Sequence, residues 1–526
     1  MNQTFIFSAE SFRTPLPTVA RESMRWGVSD RATAAIVNAA LLDFGVITGQ
    51  DVSCVVDRQK VRRAKLMCRT QLNLDRSSNA LEGLYFDGKE IDTLYVENNE
   101  GHNKNVFQNQ EHTVLISEPG GKYLGHLTTD DKKAVTICNA ILEYLGKTDS
   151  IPEVKVLGAD STSTNTGVNG GIIRLFEDER GMKVHWAICL LHTNELPLRH
   201  LIDKVDGPTS GNQTFKGPIG KTLMKVGEWD WNNKFRSIRK APSLPEFSDE
   251  VFNSLSSDQK YLYLSAASIR SGKIDSRLRH LQPGPVCHSR WLTTACRLMT
   301  MYMKKHPFNG QVKKNLYTIV YFIVTNYVPC WFSIKTRPLI SDASHHVLLA
   351  VELLRLLPKA THTIVAPFVK SWHAHPENLL VTLLCCEHAD HRSFAVEQIL
   401  KLRNGNEFGD TSPRAFHPPR LNFKAKTLMD LISWKEVRVT ESILTCHLSI
   451  AELEALRDTP LAPPKFPSHT QAVERMVREL TDVCRLVAGS DARDGYIRAR
   501  LASRAQYSKA TTKRDFTRMV SNRDDN

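Results

Sequence analysis

Cysteine patterns that build small disulfide-bonded or zinc-bound domains are absent from this sequence. The chain has 11 cysteines, but no CxxC pair and no second Cys/His pair at zinc-finger spacing, so neither a disulfide framework nor a zinc finger is predicted. A basic segment followed by an apolar core is missing near Met1, which argues against a secretory signal. The longest apolar stretch, Leu316–Phe332, contains Asn326 and Pro329, which favours a buried core helix over a membrane span. We therefore expect a soluble, intracellular protein.

Motifs of several common enzyme classes are absent as well. There is no GxSxG, which argues against an α/β-hydrolase, and no HExxH, which argues against a zinc metalloprotease. The segment Gly217–Thr222 ends in Gly-Lys-Thr, as a phosphate-binding P-loop does. However, Phe215 stands where that motif requires its first glycine, and Pro218 has no N–H to offer a phosphate. The sequence therefore predicts no P-loop.

The composition is that of an ordinary globular protein with an excess of positive charge. The chain has 526 residues, 41% of them hydrophobic and 24% charged, which excludes a disordered, collagen-like or coiled-coil protein. A chain of this length is expected to form roughly two to four domains. Lys and Arg number 69 against 56 Asp and Glu, a formal net charge of +13. This excess favours a polyanionic partner such as nucleic acid, but charge alone does not decide it.

Five regions are distinguished along the chain. Residues 1–80 look helical and basic, because the Ala- and Leu-rich segment Ala32–Phe44 precedes the strongly cationic segment Asp57–Arg76. This region is either a DNA-binding unit, with Arg62, Arg63 and Lys65 on the DNA, or a solvated helical face. The other regions are the first part of an α/β core (81–225), a helical insertion domain (226–457), the closing helix of the core (458–495) and a basic C-terminal tail (496–526).

The α/β assignment depends on short apolar runs separated by Gly and Pro, which read as strands. In chain order, the predicted elements are strands Gly83–Phe86, Asp92–Val96 and Thr113–Ile116, helix Asp131–Leu145, strand Val154–Leu157, helix Gly170–Glu179 and strand His185–Leu191. Tyr123–Leu127 is the weakest run and is not counted as a strand. The order β-β-β-α-β-α-β predicts an RNase H-like mixed sheet, here interrupted by a large all-helical insertion domain.

Two aspartates follow apolar runs and are candidates for a functional site. Asp87 ends the run Gly83–Phe86 and precedes Gly88, so it either projects from a strand end or forms an Asp-Gly hairpin turn. Asp160 ends the run Val154–Ala159 and precedes small polar residues and a helix. It therefore either faces a cleft at the carboxyl end of the strand or caps the helix. The local pattern leaves both alternatives open for each residue.

Cys189 and His192 form a CxxH pair after the last predicted strand of this region. A zinc site needs about four ligands, and no second pair lies nearby in the sequence. A single buried Cys is usually a core residue. His192, at the strand end, has the chemistry to orient a carboxylate or a phosphate.

A third acidic candidate lies near the C-terminus. The sequence Ser468–Gln471 has the S-x-x-Q form of a capping box, so a helix is predicted to begin there. An apolar stripe follows at helical spacing: Val473, Val477, Leu480 and Cys484. Glu474 lies one step from this stripe and is positioned to reach toward a neighbouring sheet. The alternative is a surface glutamate paired with Arg478.

Asp87, Asp160 and Glu474 together have the chemistry of a two-metal site. Two divalent cations about 3.5–4 Å apart activate an attacking oxygen and stabilise a leaving oxygen in phosphoryl transfer. Mg²⁺ or Mn²⁺ prefers hard oxygen ligands, and one or two carboxylates per ion suffice beside substrate phosphates. The three residues converge only if residues 226–457 are an insertion into the core. The basic flanks would then hold a polyanion over the acids.

Four blocks of the chain resemble those of hAT superfamily transposases, or of host proteins derived from them. Leu84–Gly88 is similar to the strand that carries the family's first catalytic Asp. Leu157–Asp160, followed by Asn165, is similar to the block that supplies the second. Cys189–Leu196 resembles the family's CxxH block, and Phe466–Arg475 resembles the block that ends in the catalytic Glu-Arg.

A weaker similarity links Ser289–Thr294 to an Arg-Trp block in the family's helical insertion. It implies that Arg290 and Trp291 contact DNA near the cleavage site, with Trp291 stacking on an unpaired base. A tryptophan in the hydrophobic core is the alternative for Trp291.

The resemblance covers roughly residues 81–500 and implies a DDE-type transposase-like protein that cleaves DNA and transfers strands at transposon ends. Asp87, Asp160 and Glu474 would be catalytic and would hold Mg²⁺ or Mn²⁺. Supporting roles would fall to His192, Cys189 and Arg475, the last on a phosphate. The resemblance further implies DNA as partner, a homo-oligomer and a nuclear location.

Two other functions are compatible with the same residues. A domesticated, catalytically inactive DNA-binding protein would keep the fold and lose turnover. A protein–protein scaffold would place Glu474 on an outer surface. Only the enzyme requires the three carboxylates to converge.

Overall fold

A computed structural model describes residues 16–74, 81–99, 102–146, 154–209, 214–286, 290–369, 372–405 and 417–507. Three N-terminal helices, α1 (Pro17–Arg25), α2 (Asp30–Asp43) and α3 (Arg58–Leu74), precede the α/β core. The predicted basic tail is described only as far as Tyr507, where it continues a helix. Ser289 of the Arg-Trp block lies outside the described residues.

The core contains a mixed five-stranded sheet in the order β3-β2-β1-β4-β5. Its strands are β1 (Gly83–Asn99), β2 (His102–Glu118), β3 (Lys122–Thr129), β4 (Val156–Ala159) and β5 (His185–Ile188). The first three are antiparallel neighbours, whereas β4 runs parallel to β1 and β5 runs parallel to β4. This order with these directions is an RNase H-like fold, as the sequence predicts.

The observed strands have different bounds from the predicted ones, and one of them was not predicted. β1 runs through Asp87 and Gly88 to Asn99 and pairs with β2 along its length, so the hairpin turn is wrong and Asp87 does not end a strand. Tyr123–Leu127, which was not counted, belongs to β3. Asp92–Val96, predicted as a separate second strand, is the continuation of β1. The outer halves of β1 and β2 form a two-stranded ribbon with largely exposed side chains, so the apolar pattern is interrupted within one continuous strand.

Helices enclose the sheet and build the insertion. The sheet region also contains α4 (Ala134–Gly146), α5 (Ser163–Thr166), α6 (Ile172–Arg180) and α7 (Leu190–Val205). The insertion contains α8 (Pro218–Lys221), α9 (Asp249–Ser254), α10 (Ser257–Ser271), α11 (Trp291–Met303), α12 (Gly310–Phe322), α13 (Val328–Thr336), α14 (Ala343–Leu354), α15 (Lys359–Val365), α16 (Pro376–Leu384), α17 (Ala389–Asn404) and α18 (Ile450–Ala455). The core closes with α19 (Gln471–Cys484) and α20 (Ser490–Tyr507).

The two faces of the sheet are covered by different helices because side chains alternate along each strand. Leu84 and Phe86 of β1 pack with α4 and α6 on one face. Tyr85 packs with α19 on the other face. The predicted apolar stripe of α19 is buried there: Val473, Val477, Leu480 and Cys484. This packing places the N-terminal turn of α19 over the sheet.

The sequence predicts six helices in the insertion: Val312–Val324, Ser344–Leu357, Glu377–Glu387, Arg392–Leu402, Ala425–Leu431 and Leu448–Leu456. Five of them are present as α12, α14, α16, α17 and α18. The helix expected over Ala425–Leu431 is only a 3₁₀ turn, Leu428–Asp430. In contrast, α10 and α11 were not predicted. A capping box formed by Ser256 and Gln259 begins α10, and this local signal was present in the sequence.

The apolar stretch near residue 320 lies inside the insertion. A π-helical turn joins α12 to α13, and the resulting helix Gly310–Thr336 is long and apolar enough to cross a membrane by length and composition alone. The protein buries 78% of its most apolar window, which is typical of a core helix. The Tyr327 carbonyl, at the end of the π turn, accepts a hydrogen bond from the Asn194 amide at 3.0 Å, which links this helix to α7.

The Gly-Pro-Ile-Gly-Lys-Thr segment forms α8, and its N-terminal amides are already occupied. Ile219 N–H and Gly220 N–H donate to the Asp206 carboxylate at 2.9 and 2.8 Å. Gly217 lies so close to Asp206 that a Cβ would be 2.0 Å from the Asp206 carbonyl oxygen. An internal carboxylate therefore holds the position that a phosphate would take in a P-loop.

The N-terminal helices pack on the C-terminal helix of the core. Met24 of α1, Ala64 of α3 and Ala499 of α20 share a small apolar cluster. The two ends of the described chain therefore form one unit.

The cationic face of α3 is only partly available to DNA. Arg62 and Arg63 are exposed. Lys65 is buried, and its ammonium lies 2.9 Å from Asp30 and donates to the Val28 carbonyl at 2.8 Å. Contrary to the expectation from sequence, Lys65 stabilises the helical unit and is not free to bind a phosphate.

A cavity of about 710 Å³ lies where the core meets the insertion. Glu177, Lys183, His375 and Glu377 contribute to its wall. Burial raises the pKa of Glu377 to about 8 and that of Glu177 to about 7. Burial also lowers the pKa of His375, and of His185 at 3.7 Å from Glu377, to about 3. Burial at this junction therefore favours the neutral forms of the two carboxyl groups and the two imidazoles.

We expect the contribution of Glu377 to stability to fall as the pH rises from about 4.5 to about 8. Over this range the folded protein keeps the Glu377 proton that the unfolded chain has lost, so at this residue a higher pH favours unfolding. The buried histidines, whose pKa values are lowered, act in the opposite direction below about pH 6.5, so the effect is measured as the difference between the wild type and Glu377→Gln. In denaturant unfolding, the stability of the wild type relative to E377Q should fall by roughly 2–4 kcal/mol between about pH 5 and pH 8. The difference between the wild type and Glu436→Gln, an exposed glutamate of the same cavity, should not change with pH. A difference between the wild type and E377Q that stays constant with pH would contradict the assignment.

Candidate active site

Asp87 and Asp160 lie side by side on neighbouring strands. β1 and β4 are parallel, with Tyr85 opposite Gly158, and each aspartate lies two residues further along the chain. Because side chains alternate with a period of two, both carboxylates project to the face of the sheet that Tyr85 occupies. That face is the one covered by α19.

Close packing at Tyr85 ties this part of the sheet to the segment that returns from the insertion. A Cβ at Gly158 would lie 2.4 Å from the Tyr85 ring, so glycine is required there. The Tyr85 hydroxyl donates to the Pro467 carbonyl at 2.5 Å. Leu190 N–H, at the start of α7, donates to the Ser468 carbonyl at 2.9 Å. These bonds hold the entry to α19 against the strand ends.

Cys189 takes part in the same connection. Its sulfur accepts a hydrogen bond from Thr470 N–H at 3.4 Å, and burial raises the pKa of the thiol to about 11. The thiol therefore stays protonated, whereas a zinc ligand would be a thiolate. His192, the other member of the CxxH pair, contacts Arg290 instead. Cys189 is thus a positioning residue for α19.

Glu474 lies in the first turn of α19, at the border of the apolar stripe. Thr470 is the N-cap, so the prediction that Ser468 begins a capping box is wrong by two residues. The Thr470 hydroxyl donates to Glu474 Oε1 at 3.0 Å. Glu474 lines the same cleft as Asp87 and Asp160, which is not the outer-surface position that a scaffold would require.

Arg290 lies among the three acidic residues. Its Nη2 is 3.6 Å from Asp87 Oδ2, and its Nη1 is 3.5 Å from Glu474 Oε1. Nη1 is also 3.1 Å from His192 Nδ1, which lies 3.9 Å from Asp160 Oδ2. One guanidinium thus connects β1, α19 and the start of α7. The sequence analysis assigned Arg290 to DNA contact and did not foresee this position.

The backbone of Arg290 is in a strained conformation. Its φ is 50°, and among the described residues no other non-glycine residue has a positive φ. Such a conformation is costly for a residue with a Cβ and persists only where surrounding contacts impose it. The ion pairs with Asp87 and Glu474 supply such contacts.

His192 is neutral in this arrangement. Because a guanidinium only donates hydrogen bonds, His192 Nδ1 accepts from Arg290 and carries no proton. Burial lowers the pKa of His192, Asp160 opposes this shift and Arg290 adds to it. His192 therefore accepts a hydrogen bond from Arg290 without adding charge, and the nitrogen that lies 3.9 Å from Asp160 has no proton to donate to it.

Glu195 is a fourth carboxylate of the site, which the sequence analysis quoted within the CxxH block without assigning it a role. It follows His192 by three residues, about one turn of α7, and lines the same cleft. Burial raises the pKa of Glu195 to about 8, while Arg290 and the Trp291 backbone N–H act in the opposite direction. The i, i+3 spacing to His192 was the signal in the sequence that placed it on this side of α7.

The site holds more negative than positive charge. Burial raises the pKa of Asp87 to about 7, Arg290 lowers it, and Asp160 and Glu474 raise it further. Burial acts to lower the pKa of Arg290, but Glu474, Glu195 and Asp87 together raise it above its usual value. Four carboxyl groups therefore share a single guanidinium.

The cleft has a volume of about 830 Å³ and a basic margin. Lys89, Lys335, Arg475 and Arg478 line it together with the acidic residues. Arg475 is exposed, directly after Glu474. Cationic side chains around an acidic centre suit a polyanion that passes over the carboxylates.

Trp291 is not exposed to the cleft. Only 6% of it is accessible, and it packs edge-on against Phe215, with the ring centroids 6.0 Å apart, in the core of the insertion. In this structure Trp291 is therefore a core residue, the alternative left open by the sequence. Stacking on an unpaired base would require it to leave that core.

The acidic residues fit divalent metal ions in chemistry, although Arg290 holds the central position. Carboxylate oxygens are the ligands that Mg²⁺ and Mn²⁺ prefer. Within the described ranges, no three acidic, His or Cys side chains are spaced to bind one ion. At this site the Arg290 guanidinium lies between Asp87 and Glu474, where a metal ion would otherwise bind. A divalent ion would supply the positive charge that the four carboxyl groups lack.

Comparison with known proteins adds one structural likeness. No family model and no curated protein matches the chain. Among solved structures, the chain is similar to the Drosophila P element transposase strand transfer complex, with a TM-score of 0.31 and 11% sequence identity over 96% of this chain and 94% of that chain. A TM-score this low supports no conclusion about the site. The RNase H-like assignment depends on the strand order and directions described above.

Proposed function

We propose that this protein is a DDE-type transposase-like enzyme that cleaves DNA and transfers strands at transposon ends in a metal-dependent reaction. The observation that carries the proposal is the convergence of Asp87, Asp160 and Glu474, from β1, the end of β4 and α19, in one cleft with a basic margin. The helical insertion separates the third carboxylate from the others in sequence, and the fold brings it back.

The relation to hAT transposases is part of this proposal. The four blocks that resemble that family contribute β1, the end of β4, the start of α7 and the start of α19. β1, α7 and α19 meet at Arg290, and His192 of α7 lies 3.9 Å from Asp160 at the end of β4. A nuclear location and assembly into a homo-oligomer on DNA follow from the same proposal.

The carboxylates of Asp87, Asp160 and Glu474 would hold two Mg²⁺ or Mn²⁺ ions. Bound there, the ions would activate water, and then a DNA 3′-hydroxyl, and stabilise the leaving oxygen. Arg475 would bind a DNA phosphate beside the reacting one. His192 would orient Arg290 by accepting its hydrogen bond.

A second candidate is a DNA-binding protein that has lost turnover. The specific observation in its favour is Arg290, whose guanidinium neutralises Asp87 and Glu474 directly. In that case the carboxylates and the arginine would be a structural ion-pair cluster.

A nicking assay separates the two. Purified full-length protein is incubated with supercoiled plasmid in Mg²⁺, in Mn²⁺ and in EDTA, and relaxed circles are quantified. The enzyme should relax the plasmid with either metal and not in EDTA. Binding of the plasmid without relaxation under every metal condition would support the inactive DNA-binding protein and contradict the enzyme.

A further inference from the structure

We infer that Arg290 is an internal counter-cation that competes with divalent metal for Asp87 and Glu474, and that a DNA phosphate draws it away, so that DNA binding promotes metal binding. This inference rests on the proposed function of the same site. It concerns the order in which metal and DNA bind.

The first argument is the position of the guanidinium. Its two terminal nitrogens contact Asp87 and Glu474, on opposite sides of the site, at 3.6 and 3.5 Å. Both carboxylates would be needed by metal. Arg290 repels a divalent ion at this position, so the ion has to displace the guanidinium before both carboxylates can bind it.

The second argument is the quality of these contacts. Distances of 3.5–3.6 Å are those of ion pairs without the short, bidentate geometry that makes arginine–carboxylate pairs strong. The backbone of Arg290, with φ at 50°, adds a cost to the conformation. The arginine is thus held to the two carboxylates by charge, whereas its contact at 3.1 Å is the hydrogen bond to His192.

The third argument is that a phosphate is a better partner for this guanidinium than the carboxylates are. The Arg290 side chain is 31% exposed in the cleft, so an incoming phosphate has access to it. A guanidinium binds phosphate through two parallel hydrogen bonds. Glu195, a buried carboxyl on α7 that also acts on Arg290, would keep the side chain near the cleft once Asp87 and Glu474 are released.

The experiment measures Mn²⁺ affinity of the full-length protein by electron paramagnetic resonance, with and without a short DNA duplex. Without DNA, Arg290→Gln should bind Mn²⁺ at least ~10-fold more tightly than the wild type, because a positive charge in contact with the site is removed. With DNA, the affinity of the wild type should rise toward that of R290Q, and the affinity of R290Q should change by less than ~3-fold.

Three further variants sharpen the result. Arg485→Gln removes the same charge from an exposed position just after α19, outside the cleft, and should change the affinity without DNA by less than ~3-fold, since Arg290 is the residue in contact with the carboxylates. Arg290→Gly removes the guanidinium and suits the positive φ, so it should reproduce R290Q with an unperturbed fold. Asp160→Asn combined with R290Q should abolish the gain and locate the metal in this site.

The outcomes separate this inference from the proposed function. If neither R290Q nor R290G binds Mn²⁺ more tightly than the wild type without DNA, Arg290 is not a competing cation and the inference is overturned, even where the wild type nicks DNA. If both variants bind more tightly but no protein nicks DNA in either metal, the inference stands and the proposed activity fails.

Discussion

Replacing Asp160 with Asn is expected to abolish DNA nicking in Mg²⁺, with a loss of roughly 10³-fold or more. Asn keeps the oxygen that accepts from the Asn165 amide at 2.7 Å and from Thr162 N–H at 3.0 Å, so the turn after β4 is preserved. What it removes is the negative charge and one metal-binding oxygen. Fold and DNA affinity should therefore be intact.

The test compares initial nicking rates of wild-type and D160N protein on the same plasmid, with circular dichroism and DNA binding measured on the same preparations. Asp482→Asn is the matched control, because Asp482 lines the same cleft but is 61% exposed on the far end of α19. D482N should nick at a rate within ~2-fold of the wild type, as expected for an exposed residue away from the metal ligands. Nicking by folded D160N at the wild-type rate would remove Asp160, and with it the two-metal mechanism, from consideration.

The second large effect is on stability. Arg392→Leu is expected to destabilise the insertion by about 3–5 kcal/mol. The Arg392 side chain is buried, with 4% of the residue accessible, and its guanidinium donates to backbone carbonyls that follow two helix ends. The carbonyls belong to Cys386, Glu387, Leu456, Arg457 and Asp458, at 2.7–3.2 Å. Leucine would take this donor from all five carbonyls, including the carbonyl of the buried residue Cys386.

This arginine matters for the active site because it holds the start of the segment that returns to α19. Directly after the Asp458 carbonyl, Leu461 N–H donates to the Leu384 carbonyl at 2.9 Å, and the chain then passes Pro467 to reach Glu474. Loss of Arg392 would loosen α16, α18 and this path together. Reduced nicking should therefore accompany the loss of stability.

Thermal unfolding measures the effect, with an expected fall in the midpoint of roughly 5–10 °C for R392L. Arg392→Lys keeps the charge but loses the planar fork and should fall between wild type and R392L. Arg277→Leu removes an exposed arginine paired with Asp275 and should shift the midpoint by less than ~2 °C. A midpoint for R392L within that same margin would show that the carbonyl cluster is not a stabilising contact.

The fold class could be predicted from the sequence because periodicity and order are local properties. The apolar stripe of α19 is buried as its spacing indicated, and the order of strands and helices is that of the observed sheet. The same locality explains the errors. Tyr123–Leu127 pairs with β2 although its own pattern is weak, and β1 continues past Gly88 because β2 lies beside it.

The candidate site was only partly accessible to the same reasoning. Asp87, Asp160 and Glu474 were identified, since two follow apolar runs and one borders a helical stripe. Arg290 was not recognised as their neighbour because it has no local pattern that points to a carboxylate cluster. Glu195 was missed although its i, i+3 spacing to His192 placed it on the same side of α7. Lys65 was assigned to DNA on its charge. For Trp291 the resemblance implied DNA contact and a core position was the alternative. Both residues are buried.

By itself, the sequence determined the RNase H-like order of elements, the interruption by a helical insertion and the three carboxylates worth examining. Alternating apolar and polar residues specify which side of a strand or helix is buried, and this information is contained in neighbouring residues. Only the tertiary structure decided that an arginine from the insertion lies between Asp87 and Glu474. Contacts between distant segments depend on how the whole chain packs, which no local pattern encodes.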